Sequence, residues 1–257
     1  MTALQLLPPP VAGLAGQLAA LSGVVAVVLG GSRATATHRP DSDWDLGIYY
    51  RASQRLDRED VRRLGHEGYV SALGEWGPIM HGGAWLTIEG VRIDVLFRDL
   101  DLVERWLDDA RHGSFEVRAQ NGYIVGAPTY LPVGELAICE ALSGQVPRPT
   151  FPHALAAAAP GRWEGRAAVS LMFAESYAAL GDSVCCAGML TSAVLAGAHA
   201  RLARRREWAL NEKRLVERAG LHTTQPLLGC PGSNRTELLA TTVAISTILG
   251  IRPLTAR

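Results

Sequence analysis

Apolar and polar positions follow two different grammars along this chain. As far as about Leu142, short β-branched runs interleave with amphipathic stretches. Residues 11–21 (VAGLAGQLAAL) carry apolar positions at helical spacing, and 24–29 (VVAVVL) read as a buried strand. A second strand is predicted from Trp44 to Tyr50, and helical spacing among charges is predicted over 57–70. Residues 84–88 (AWLTI) and 91–97 (VRIDVLF) read as a hairpin around Glu89-Gly90. Residues 99–111 read as a helix with Asp99 as its cap.

The pattern then changes. Residues 143–152 (SGQVPRPTFP) hold three prolines and a glycine, which predicts a linker at about 143–153. Beyond it strand signals vanish, and 163–180, 183–207, 211–219 and 233–249 suit helices separated by Gly181-Asp182, Gly220 and Pro231-Gly232. The expectation is an α+β unit with a small mixed sheet over 1–142, followed by an all-α bundle over 154–257.

Composition narrows the function classes. With 257 residues, 48% of them hydrophobic, the chain can bury a sizeable core in one large domain or two modest ones. Lys plus Arg equals Asp plus Glu at 25 each. A protein built to grip nucleic acid usually carries a basic excess, so the balance leans toward a small or mixed substrate. Cys139, Cys185, Cys186 and Cys230 form no C-x-x-C pair, and the seven histidines show no metal-ligand spacing. The N-terminal stretch lacks a cationic segment before its apolar residues, and runs such as Leu21–Leu29 are too short for a bilayer. These features read as a soluble, cytoplasmic protein with no membrane partner. Walker A, G-x-G-x-x-G and G-x-S-x-G motifs are all missing from the sequence.

Chemistry concentrates in Gly30-Gly31-Ser32-Arg33 and, shortly after, Pro40-Asp41-Ser42-Asp43-Trp44-Asp45-Leu46. Strand residues two apart share a face, so Asp43 and Asp45 present two carboxylates together while Trp44 and Leu46 turn toward a core. Neighbouring carboxylates repel unless a cation lies between them, and Mg²⁺ suits hard oxygen ligands shared with phosphates. The glycines after a buried strand allow close backbone approach to a phosphate. Ser32 adds a hydroxyl, and Arg33 adds a charge that serves either the phosphates or a pairing with Asp41. A D-x-D after proline can also be a plain turn; the spaced glycine loop and Asp94 favour catalysis.

Gly31-Ser32-Arg33-Ala34 followed by Asp41-Ser42-Asp43-Trp44-Asp45-Leu46 resembles the signature of the DNA polymerase β-like nucleotidyltransferase superfamily. Within it the chain is similar to aminoglycoside adenylyltransferases and their bacterial relatives. The motif match spans roughly residues 24–98; the helical half is similar only in general character. The resemblance implies that Asp43 and Asp45 hold one or two Mg²⁺ ions and that Gly31 and Ser32 bind the β/γ phosphates. It places a third carboxylate at Asp94, as metal ligand or as base toward the acceptor hydroxyl, both roles staying open. It also implies a helical-domain lysine on the triphosphate, for which Lys213, the single lysine among 25 basic residues, is the candidate. Glu175 is a weaker candidate for contacting the acceptor. The implied reaction moves AMP from ATP to a hydroxyl of a small molecule, such as an aminoglycoside-like antibiotic. Two other readings are a tRNA or protein acceptor, with Arg201, Arg204, Arg205 and Arg206 lining its groove, and a nucleotide-binding module without turnover.

Overall fold

A computed structural model describes residues 7–254; the opening of the N-terminal stretch weighed above as a leader lies outside them. The chain divides into two compact units: 1–110 with 115–121 and 126–150, and 111–114 with 122–125 and 151–257.

In the first unit, α1 (Pro9–Ala19) leads into β1 (Val24–Leu29), the short helix α2 (Gly31–Ala34) and β2 (Trp44–Tyr50). Next come α3 (Arg58–Arg62), β3 (Glu67–Val70), β4 (Gly83–Ile88), β5 (Val91–Asp99) and α4 (Leu100–Arg111). A two-stranded ribbon, β6 (Val117–Arg118) with β7 (Ala127–Pro128), precedes α5 (Leu131–Ile138) and β8 (Glu140–Gly144). Six strands form one mixed sheet in the order β3-β4-β5-β2-β1-β8, with β2 and β5 parallel and the other neighbours antiparallel. Leu14 and Leu18 of α1 join Val27, Leu46, Ile48, Ile93, Val95 and Phe97 in one core. Ile93, Val95 and Phe97 of β5 are buried there, the alternation of a strand with one face in a core.

Two local outcomes follow from backbone chemistry. Glu89 (φ 51°) and Gly90 (φ 76°) both take positive φ, the two-residue turn that matches strand twist, and they pair Ile88 with Val91. Asp99 accepts from the N–H of Leu102 at 3.2 Å and so starts α4. The helix read over 57–70 is shorter than its spacing predicts. Only Arg58–Arg62 is helical, because Gly65 turns left-handed (φ 77°) and residues 67–70 join the sheet edge against β4.

The second unit is helical: α6 (His153–Leu180), α7 (Ser183–Arg204), α8 (Leu215–Arg218), a 3-10 turn (His222–Thr224), α9 (Gln225–Gly229) and α10 (Arg235–Leu249). α6 runs through Pro160, carried by the alanine-rich segment before it. Its end is set by Gly181 at φ 74°, and Asp182 then caps α7 by accepting from the N–H of Cys185. The helix read over 211–219 contracts to α8, since Arg214 adopts φ 55° and leaves Asn211–Lys213 as a turn. Among the described residues one helix, α7, is long and apolar enough to cross a membrane by length and composition; 56% of that window is buried, as in a core helix.

Candidate active site

Strand register brings the acidic residues together at one end of the sheet. β1 ends where β2 begins, because the two are antiparallel, and the N–H of Gly30 donates to the carbonyl of Asp45 at 2.8 Å. On the other side β5 runs parallel to β2, with Asp45 directly opposite Asp94. Side chains of register partners share a face. Asp45 and Asp94 are both half-buried and stand side by side beside the glycine loop.

The fit around Gly31 is tight. Its φ is +61°, and a Cβ there would lie 1.8 Å from Oδ2 of Asp45. Only glycine lets the loop backbone rest against that carboxylate. Ser32 and Arg33 follow in α2, whose first N–H groups have no partner within the helix. The carbonyl of Ser32 is held by the N–H of Thr37 at 2.9 Å. A left-handed residue followed by helical ones turns successive N–H groups inward, the geometry of an anion nest.

Arg33 serves the carboxylates indirectly. Its guanidinium donates to the carbonyls of Ser42 (2.6 Å) and Asp43 (3.2 Å) and lies 4.0 Å over the ring of Trp44. A planar fork that bonds and stacks at once fixes the backbone just before β2. Asp41 pairs instead with Arg39 at 3.1 Å.

Asp43 lies one step before β2, two residues from Asp45. Extending the β2–β5 pairing by that step puts Arg92 opposite Asp43, and the two form an ion pair. Arg92 also donates to the carbonyl of Asp41 at 3.0 Å. Among the described residues no group of three or more His, Cys, Asp or Glu side chains is assembled around one metal position. The donor set nevertheless suits a hard divalent cation. Mg²⁺ is commonly held by one or two carboxylates and completed by phosphate and water oxygens, which the Asp45–Asp94 pair satisfies. Asp43 joins such a set only by exchanging Arg92 for the metal.

Arg92 and Trp85 are neighbours that the sequence reading passed over, although both were legible. In VRIDV the two-residue period puts Arg92 on the face of Asp94. The Glu89-Gly90 turn pairs Ile88 with Val91, so counting three residues each way pairs Trp85 with Asp94. Trp85 is 54% exposed and stacks on Trp76, with 4.8 Å between ring centroids, and Tyr69 flanks it at 5.6 Å.

Residues 11–101 match the family model of the nucleotidyltransferase domain. The chain carries a nucleotidyltransferase domain. It is therefore a transferase of phosphorus-containing groups with a nucleoside triphosphate as substrate, and enzymes of this family generally use divalent metal ions. A solved structure, that of a nucleotidyltransferase-like protein from Exiguobacterium sibiricum 255-15, is similar at 9% identity and a TM-score of 0.45. The match covers 91% of this chain and 71% of that one, a likeness too slight to extend the reading. No curated protein matches.

The remaining sequence candidates of this nucleotidyltransferase lie in the helical unit. Lys213 is exposed in the turn before α8, its N–H donating to Oδ1 of Asn211 at 3.0 Å. Glu175 is half-buried on α6. The arginine run is engaged within its own unit. Arg201 donates to the carbonyls of Ala219, Gly220 and Ile248, Arg205 to those of Arg218 and Ala219, and Arg206 to that of Phe151, while Arg204 pairs with Glu164. These guanidiniums fasten the bundle, which weakens their case as a polyanion groove.

Proposed function

We propose that this nucleotidyltransferase moves AMP from ATP, with Mg²⁺, onto a hydroxyl of a small-molecule acceptor. The observation that carries the reading is the register of β2 and β5, which opposes Asp45 and Asp94 beside the Gly31 loop. The loop N–H groups and Ser32 take the β and γ phosphates. Asp45 and Asp94 would hold Mg²⁺, which when bound would supply positive charge to the triphosphate. The acceptor oxygen bonds to the α-phosphorus as the bond to the bridging oxygen breaks and pyrophosphate leaves. In this reading Asp94 receives the hydroxyl proton, and Trp85 offers an acceptor ring a flat apolar face.

Acceptors to try first are aminoglycoside-like antibiotics and other small polyols. Incubation with α-labelled ATP, Mg²⁺ and such a panel should give a labelled small molecule. Label found only on tRNA or protein would overturn the choice of acceptor, and ATP bound without turnover on any acceptor would overturn the reaction.

A further inference from the structure

The carboxylates stand in a line that continues past them. The N–H of Gly30 reaches the carbonyl of Asp45, Asp45 is opposite Asp94, Asp94 is opposite Trp85, and Trp85 is opposite Tyr69. Register partners share a face of a sheet, and neighbouring strands lie about 4.8 Å apart. One row therefore runs from the glycine loop across two acids to two aromatic rings, all within the sheet unit.

The aromatic end of the row is held in place by its surroundings. Trp85 is 54% exposed and Tyr69 39% exposed. Trp76 stacks on Trp85, with 4.8 Å between ring centroids and 21° between planes. Room for Trp76 exists because residue 83 is glycine: a Cβ there would lie 2.6 Å from Cζ3 of Trp76. Buried Gln120 donates to the carbonyl of Trp76 and accepts from the N–H of Met80 at 3.2 Å. Glu75 accepts from the N–H of Ala72 at 2.6 Å and from the hydroxyl of Tyr69. The loop that carries Trp76 is thus fastened on both sides of that ring. Cross-strand aromatic pairs also brace a sheet, but bracing does not call for an indole left more than half open. A rigidly backed aromatic surface binds a ring with little loss of side-chain freedom.

Direction along the row matters. In-line displacement puts the entering and leaving oxygens on opposite sides of phosphorus. With the β and γ phosphates on the loop, pyrophosphate departs toward Gly30 and Gly31. The acceptor then arrives from the other end, over Trp85 and Tyr69.

We propose that Trp85, backed by Trp76 and flanked by Tyr69, sets acceptor specificity, and that the acceptor is a ring alcohol. Its flat C–H or aromatic face lies on the indole while a hydroxyl on its rim reaches past Asp94. Resting on the transfer reaction proposed above, this platform narrows its acceptors. Open-chain polyols have no face to stack and are poor acceptors, and the nucleobase lies elsewhere. The ring's hydroxyl oxygen bonds to the α-phosphorus as the bond to the bridging oxygen breaks, its proton passing to Asp94 and pyrophosphate leaving on the loop side.

The test is saturation-transfer NMR on the full chain, run beside transfer of label from α-labelled ATP with Mg²⁺. Methyl β-glucoside, 2-deoxystreptamine and 4-hydroxybenzyl alcohol serve as ring alcohols, and sorbitol as the open-chain polyol. At least one ring alcohol should receive saturation and sorbitol none. Trp85→Ala should abolish the signal, and Trp85→Phe should retain most of it. In the label assay Trp85→Ala should raise the KM for the ring alcohol about tenfold and hold the KM for ATP within about twofold, a split that a purely structural role would not produce. Saturation of no ring alcohol, equal saturation of sorbitol, or an undiminished signal in Trp85→Ala would overturn the proposal. So would a rise in the KM for ATP alone, which would put the base on Trp85. Saturation of a ring alcohol that depends on Trp85, with label on no acceptor, would uphold the platform and overturn the transfer reaction instead.

Discussion

The two units handle charge in opposite ways. In the sheet unit, carboxylates gather at the surface end of adjacent strands, and arginines are spent on keeping them there: Arg33 grips the backbone before β2 and Arg92 pairs with Asp43. In the helical unit, arginines tie loop carbonyls to helices, and one titratable ring is buried with nothing to bond. His199 is 2% exposed, stacked on Trp163 at 4.2 Å, and neither ring nitrogen has a hydrogen-bond partner. Clustered carboxylates beside a glycine loop mark a candidate site, whereas dispersed guanidiniums on carbonyls mark a scaffold.

The largest expected effect tests a scaffold pair inside the sheet unit. Arg98 is 2% exposed and bonds Glu135 through both arms of its fork, at 2.7 and 2.9 Å. Arg98→Leu strands that carboxylate, and urea unfolding should show a loss of about 3–5 kcal/mol. The matching change in the helical unit, Arg205→Ala, breaks exposed bonds to carbonyls and should cost no more than about 1 kcal/mol. Equal losses would erase the contrast between the units.

Next in size is the carboxylate pair. Asp45→Asn and Asp94→Asn should each lower turnover by at least about 10²-fold, the scale for losing one charge-stabilising group. Asn keeps the shape of the side chain, so circular dichroism spectra should stay those of the folded protein while turnover falls. Normal turnover in Asp45→Asn would end the argument from register.

His199 should make the helical unit sensitive to acid. Burial, with Arg166 and Arg218 adding to it, holds its pKa down from 6.5 to about 3. The folded pKa lies below the unfolded one, so the unfolded chain binds the proton first and stability falls as pH drops from 6.5 toward 3. At pH 5 the loss should be roughly 2 kcal/mol. His199→Leu should abolish this acid limb without weakening the protein at pH 7.5. An unchanged pH profile of unfolding would remove His199 from the account.

The smallest expected effect concerns Arg33. Arg33→Lys keeps the charge but loses both the fork to the carbonyls and the stack on Trp44. It should cost about 1 kcal/mol and lower turnover several-fold, since a lysine cannot hold the segment before β2 in the same geometry. If Arg33→Lys raised only the KM for nucleotide, direct phosphate binding would be the better description.

Much of the sheet unit was legible because strand periodicity is local. The runs 24–29 and 44–50 predict β1 and β2 at their observed bounds, and two-residue spacing alone puts Asp43 with Asp45. The short strands β3 and β8 went unread. EGYV and EALSG lack sustained alternation and become strands only by pairing with β4 and β1. Helices of the second unit were legible in outline. Arg214's positive φ, which shortens the helix after Lys213, has no sequence signal, since arginine gives none of the cues that glycine gives.

By itself the sequence determined the composition of the carboxylate site: which acids, which glycine loop, and the face on which Asp43 and Asp45 stand. Such properties follow from a two-residue repeat and from glycine's conformational freedom. Tertiary structure alone decided the rest. Whether Asp94 meets Asp45 depends on the alignment of β5 against β2, set by hydrogen bonds between segments some fifty residues apart in the chain. The segment at Ile124 and Val125 is likewise held by Glu212, nearly ninety residues later in the chain. No local pattern encodes either alignment, because each is fixed by packing and hydrogen bonding between parts of the chain that meet only when it folds.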